Sequence, residues 1–217
     1  GVVTDTARLH GESWKQMFDD YLKVRAQREG KPFVPFDIKG DYHTYVDGKP
    51  RYEGVDSYLR SRGIVLPFGT PDDPADAETV CGLGNRKNIL INDYIRTQGA
   101  DVFEGTVALI KTLRARGKKV AIVTSSKNCD VILNAAKLAD LFDAKVDGIY
   151  AAEHKIAGKP KPDTYLEAAK LLGAAPDRAV VVEDALSGVQ AGRAGNFGKV
   201  VGVARHGNGA ELIENGA

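Results

Sequence analysis

Three short stretches carry residue types that could do chemistry. Thr124-Ser125-Ser126-Lys127-Asn128 follows the apolar run VAIV, Lys159 stands in Gly158-Lys159-Pro160-Lys161-Pro162, and Glu183-Asp184 follows the run AVVV. The first stretch offers hydroxyls and a lysine where a helix would begin, and the free amides of a helix N-terminus attract anions. The same residues also serve as plain N-caps. Adjacent carboxylates repel unless a cation sits with them. A hard ion such as Mg²⁺ takes oxygen ligands and suits Glu183 and Asp184, although an Asp here also caps a following helix. Pro160 and Pro162 fix the backbone around the lysines, and a lysine held rigidly can neutralise a phosphate. Together the three stretches describe a site for a phosphoryl group and a divalent cation. There is no Gly-x-Gly-x-x-Gly and no Walker-type lysine loop, so a nucleotide cradle is not indicated. No Ser, Cys or His stands in a triad-like context.

Elements of two kinds must position these residues. From residue 100 onward, short β-branched runs (GKKVAIVTSS, RAVVVEDALSG, KVVGVAR) alternate with amphipathic stretches. EGTVALIKTLRARG groups Val107, Leu109, Ile110 and Leu113 on one side, with Gly117 to end it. PDTYLEAAKLLG groups Tyr165, Leu166, Ala169 and Leu172 between Pro162 and Gly173. Continuous apolar strands alternating with helices predict an α/β fold, a doubly wound Rossmann-like parallel sheet whose ligands bind beyond the carboxyl ends of the strands. Residues 8–98 differ. Trp14, Met17, Phe18, Tyr21 and Leu22 recur at helical spacing, as do Ile91, Tyr94 and Ile95, and no strand run appears. The expected organisation is a helical domain over 8–98 inserted into an α/β core made of 1–7 and 99–217.

The bulk properties exclude several classes. A formal net charge of +1 gives no field for nucleic acid or an anionic membrane, and no apolar run approaches membrane-spanning length. With no signal-peptide pattern and two distant cysteines, Cys81 and Cys129, the expectation is a cytoplasmic protein with free thiols. The four histidines show no helical pairing of the kind that binds zinc.

In their order, Thr124 with Ser125, then Lys159, then Glu183-Asp184 resemble the later motifs of the haloacid-dehalogenase superfamily. The opening GVVTDT resembles the end of its first motif, Asp-x-Asp-Gly-Val-x-x-Asp-Thr. The resemblance spans essentially the whole chain. It places the family's nucleophilic Asp and its acid/base Asp immediately before Gly1, and one more strand after the final helix. TDTARLHGESW, GKPRYEGV, Arg86-Lys87-Asn88 and SSKN are similar to the β-phosphoglucomutase branch, which carries an α-helical cap. The resemblance implies roles residue by residue. Thr124, Ser125 and Lys159 would neutralise the transferred phosphoryl group, and Asp184 with Glu183 would hold Mg²⁺. Thr6 and Trp14 would lie at the substrate, and His10 would couple cap closure to the acid/base Asp. Arg51 would grip the distal phosphate, with Lys87 and Asn88 facing the sugar. Ser126, Lys127 and Asn128 would reach the non-reacting phosphate. Outside the family, His10 reads as a partly buried structural histidine, Arg51 as a surface residue in a turn, and Lys87-Asn88 as part of a charged helix start. The implied activity is isomerisation of β-D-glucose 1-phosphate to glucose 6-phosphate through an aspartyl-phosphate and a bisphosphate, by a monomer whose partner is a small-molecule sugar phosphate. A sugar-phosphate phosphatase stays open, as does a phosphate-binding protein lacking the nucleophile.

Overall fold

The apolar stripe that starts at Leu9 builds the longest helix. The computed structural model describes residues 1–205 and 207–217. Backbone proximity divides them into two compact units: Thr6–Asp47 with Arg51–Gly99, and Gly1–Asp5 with Gly48–Pro50 and Ala100–Ala217.

The first unit is helical: α1 (Ala7–Glu29), a π-helical turn (Tyr42–Val46), α2 (Arg51–Ser61) and α3 (Val80–Gln98). Trp14, Met17, Phe18, Tyr21 and Leu22 are all buried, as their spacing predicts. Phe18 is the hub, 5.3 Å from Trp14, 5.2 Å from Phe36 and 4.3 Å from Tyr58 between ring centroids. Such offset and tilted pairs add to the burial that holds helices together. Asp19 lies in this core because it is satisfied there: its carboxylate accepts from the Phe36 amide at 2.7 Å and from Lys15 Nζ at 2.8 Å. Gly30, left-handed at φ 64°, ends α1, and the Thr79 hydroxyl caps α3 by accepting from the Gly82 amide.

The second unit alternates strands and helices. β1 (Thr4–Asp5) pairs antiparallel with β2 (Asp101–Val102), followed by α4 (Glu104–Ala115). β3 (Ala121–Val123) precedes α5 (Cys129–Ala135), and β4 (Ala144–Val146) precedes α6 (Gly148–Glu153) and α7 (Asp163–Leu172). β5 (Val180–Glu183), α8 (Leu186–Ala194), β6 (Lys199–Gly202) and α9 (Gly209–Glu214) complete it. β3 runs parallel to β4 in the register Ile122↔Lys145, and β5 parallel to β6 in the register Val181↔Val200. Consecutive strand residues point to opposite faces, and both faces are covered. Ile122 packs with Val107, Cys129 and Leu133 from α4 and α5. Val123 packs with Tyr165, Val181 and Ala191 from α7, β5 and α8. This is the doubly wound α/β arrangement, with its strands in two-stranded ribbons. Among the described residues no strand pairs with both β3 and β5.

Two helix faces are rotated from the sequence expectation. Leu109 and Leu166 are 54% and 37% exposed, while Val107, Ile110, Tyr165, Ala168 and Ala169 are buried. Leu109 and Leu166 each sit one residue, about 100° of helix rotation, from the buried row. Ala168 and Ala169 let α7 approach the strands closely, and that sets its face. Both cysteines are buried and outside any disulfide, and burial pushes the Cys129 thiol up to about 12, leaving it inert. Among the described residues no helix is long and apolar enough to cross a membrane.

Candidate active site

The turn after β3 is tied by its own hydroxyls. The Thr124 amide continues the ladder, donating to the Val146 carbonyl at 3.0 Å. Thr124 Oγ1 accepts from the Ser126 amide at 3.1 Å, and Ser126 Oγ accepts from the Asn128 amide at 3.0 Å. A hydroxyl that accepts in this way still has its proton to donate, so Thr124 and Ser126 keep O–H groups for an anion. Ser125 differs from its expected role. Its hydroxyl donates to the Gly48 carbonyl at 2.9 Å, so its donor is already taken. Lys127 is exposed, whereas Asn128 is buried at the start of α5.

The turn rests on Gly148. The Gly148 amide donates to the Ser126 carbonyl at 3.0 Å, and a Cβ at 148 would stand 2.5 Å from the Ser125 carbonyl oxygen. Asp147 fixes this floor. It is 2% exposed, caps α6 through the Ile149 and Tyr150 amides at 3.0 and 2.9 Å, and lies 3.3 Å from Lys145.

Gly48–Pro50 brings the remaining loops together. A Cβ on Gly48, whose φ is 70°, would stand 2.3 Å from Ser187 Oγ and 3.4 Å from Ala185 Cβ, and a Cβ on Gly158 would stand 2.8 Å from Pro50 Cγ. With the Ser125 bond, this short segment touches the turn after β3, the turn after β5 and the residue before Lys159. The three stretches found in the sequence therefore converge at the carboxyl ends of the strands, where ligands of open α/β sheets bind.

Lys159 and Glu183 form a buried pair. Lys159 is 5% and Glu183 8% exposed, and Nζ donates to Oε2 at 2.9 Å. The Tyr165 hydroxyl donates to the same oxygen at 2.6 Å, and the Ala185 amide to Oε1 at 3.3 Å. Burial pulls the Lys159 ammonium down, but the Glu183 carboxylate overrides it, so the lysine stays charged above its ordinary value. Burial likewise raises Glu183, and Lys159 with Tyr165 turns it below the usual carboxylate range. This corrects the expectation for Glu183: both its oxygens are committed to protein donors. Asp184 is the carboxylate that remains, its Oδ2 2.6 Å from the Gly1 nitrogen. Among the described residues no three His, Cys, Asp or Glu side chains are grouped to hold a metal ion. The donors present therefore do not complete a Mg²⁺ site by themselves.

In the helical unit, Lys87 is 4% exposed and its Nζ meets His10 Nδ1 at 2.8 Å. Burial, then the Arg51 charge, holds Lys87 well below its ordinary value. Burial, then Lys87, does the same for His10, whose neutral ring can accept the lysine N–H. Among the described residues no carboxylate forms an ion pair with these groups. Arg51 donates to Asn88 Oδ1 at 2.8 Å. His10, Lys87, Arg51 and Asn88 thus form one basic cluster. Thr6 is buried at the N-terminus of α1, its carbonyl accepting from the His10 amide. Trp14 departs from expectation: it is 4% exposed, stacked on Phe18, and offers its ring to Lys87 Nζ at 5.1 Å. It is core and a platform for the lysine, not a substrate-facing surface.

Three contributors escaped the sequence reading: Tyr165, Gly148 and the Gly48 carbonyl. Tyr165 was readable only as part of an apolar stripe, although a buried tyrosine hydroxyl needs a partner, and that need was the available signal.

The model of the haloacid dehalogenase-like hydrolase family matches residues 1–196. A β-phosphoglucomutase of Mycobacterium bovis is 54% identical over 214 residues, covering 99% of this chain and 82% of that protein. A β-phosphoglucomutase of Bacillus subtilis is 30% identical, covering 98% and 84%. The crystal structure of β-phosphoglucomutase from Clostridium difficile superposes with a TM-score of 0.76 at 25% identity, covering 100% of this chain and 84% of that one. The chain belongs to the haloacid dehalogenase-like hydrolase family.

Proposed function

We propose that the chain acts as a β-phosphoglucomutase, interconverting β-D-glucose 1-phosphate and glucose 6-phosphate by phosphoryl transfer. The observation that carries this reading is the convergence on Gly48–Pro50 of the turn after β3, the Lys159 loop and the turn after β5. The Thr124 hydroxyl and the Lys159 ammonium supply donor and positive groups to the oxygens where charge spreads during transfer, and the Ser126 hydroxyl keeps a donor for the non-reacting phosphate. Such fixed stabilisation supplies most of the catalysis in phosphoryl transfer. The His10–Lys87–Arg51 cluster of the helical unit is basic and forms no ion pair with a carboxylate among the described residues, which suits a sugar that carries phosphate. The relatives of that name support the reading at 54% identity.

The nucleophile and the acid/base group fall, on this reading, to two aspartates preceding Gly1. Mg²⁺ is the cofactor of this reading, and Asp184 is the ligand that this chain contributes. A monomer in the cytoplasm, acting on a small sugar phosphate, completes it.

The test is the anomer. Full-length protein with Mg²⁺ and a glucose 1,6-bisphosphate primer should convert β-glucose 1-phosphate to glucose 6-phosphate, read by a coupled dehydrogenase, and leave the α-anomer unchanged. Conversion of the α-anomer alone, or of neither, contradicts the proposal.

A further inference from the structure

We propose that Tyr165 is a positioning residue for Lys159, acting through Glu183. The inference rests on the phosphoryl-transfer reading for the role of Lys159, and on side-chain geometry for the rest.

One tyrosine touches both members of the buried pair. Its hydroxyl donates to Glu183 Oε2 at 2.6 Å, and its ring centroid lies 5.0 Å from Lys159 Nζ. Glu183 is held on its other sides as well. The Ala185 amide donates to Oε1, and Gly188 backs the stem so closely that a Cβ there would stand 2.1 Å from Glu183 Cγ. A lysine ammonium has three N–H groups and no fixed direction of its own. Glu183 takes one of them, and where that oxygen stands decides where the others point. Two donors on Oε2 fix its place, and the tyrosine proton spreads the carboxylate charge, so Glu183 orients the ammonium without closing on it alone. Tyr165 can do this because it is itself fixed. It is 6% exposed, on α7, packed with Val181 and Ala191 and edge-on to Phe197 at 6.0 Å. Phenylalanine keeps that packing and loses only the hydroxyl. Glu183 can then rotate, and Lys159 follows it. Lys159 acts most strongly on charge that develops during transfer, so the loss falls on kcat more than on KM.

The experiment is Tyr165→Phe in the full-length enzyme. Displacing a charged donor by a fraction of an ångström costs about tenfold, so kcat should fall about tenfold while KM stays within about twofold. The side-chain ¹⁵N resonance of Lys159, assigned by its disappearance in Lys159→Arg, should shift and exchange faster with solvent. Glu183→Leu removes both acceptor oxygens through which Tyr165 acts, so adding Tyr165→Phe to it should cost nothing further. An unchanged kcat, an unmoved Lys159 resonance, or additive losses in the double variant overturns the proposal. The resonance is read without turnover. If the wild-type enzyme turns over no sugar phosphate, the phosphoryl-transfer reading falls while the positioning of Lys159 is still tested.

Discussion

Two buried lysines show how one residue type is put to opposite uses. Lys159 has Glu183 at 2.9 Å and is held above its ordinary value, whereas Lys87 meets a neutral histidine and the face of Trp14 and is held well below. For Lys87 the protonated form is favoured in the unfolded chain, so between its folded value and 10.5 the unfolded chain binds more protons and stability rises with pH. Replacing a buried uncompensated charge by an apolar side chain of similar length gains about 1–4 kcal/mol. Lys87→Met should therefore raise Tm at neutral pH, by about 2–4 °C for each kcal/mol, while lowering activity. The gain should shrink as pH approaches the ordinary lysine value. A variant less stable than wild type at pH 7, or a gain that grows toward pH 10, contradicts the assignment. Arg51 belongs to the same cluster. If it grips the sugar's second phosphate, Arg51→Ala should shift the product from sugar phosphate toward inorganic phosphate. An unchanged product ratio removes that role. The convergence of the Thr124, Lys159 and Asp184 stretches was legible because hydroxyl, lysine and acid stood in order after three runs. Glu183 was not, because its partners lie 24 and 18 residues back in the chain, and only the fold brings them to it.

The elements deliver these residues by ending where they do. β3 stops at Val123 and β5 at Glu183, and the chain turns straight into α5 and α8. The turn after β3 keeps its shape because Gly148, at the start of α6, leaves room for its backbone. Gly148→Ala would put a methyl group 2.5 Å from the Ser125 carbonyl oxygen, and backbone must shift to relieve it. The Thr124 and Ser126 donors then move together. The expected result is a kcat/KM for the sugar phosphate lowered about tenfold, from about 1.4 kcal/mol of lost stabilisation, with helix content by circular dichroism unchanged. An unchanged kcat/KM would show that the turn does not depend on this floor. The helix stripes of the helical unit were readable because its aromatics repeat over 23 residues of α1. α4 and α7 are shorter, 12 and 10 residues, and each offered two leucines in a row of candidates. Packing chose the face by how closely small residues let the helix approach the strands, and periodicity alone does not carry that information.

At the scale of the whole molecule, the alternation of strand and helix signals after residue 100 was enough to read the α/β class. The place of Gly48–Pro50 was not readable. A Gly-Lys-Pro turn between helical stretches belongs by sequence with the helices, yet it packs with the α/β unit through Ser125, Ala185, Ser187 and Gly158. Long-range contacts of a three-residue segment leave no periodic trace. The central claim concerns the fate of one phosphoryl group, transferred to sugar or lost to water. It is tested most directly by a ³¹P NMR time course on full-length protein with Mg²⁺, β-glucose 1-phosphate and a trace of glucose 1,6-bisphosphate. The account predicts that the starting signal is replaced by that of glucose 6-phosphate, with total sugar phosphate conserved. Growth of inorganic phosphate in its place would contradict the mutase and make the chain a sugar-phosphate phosphatase of the same family.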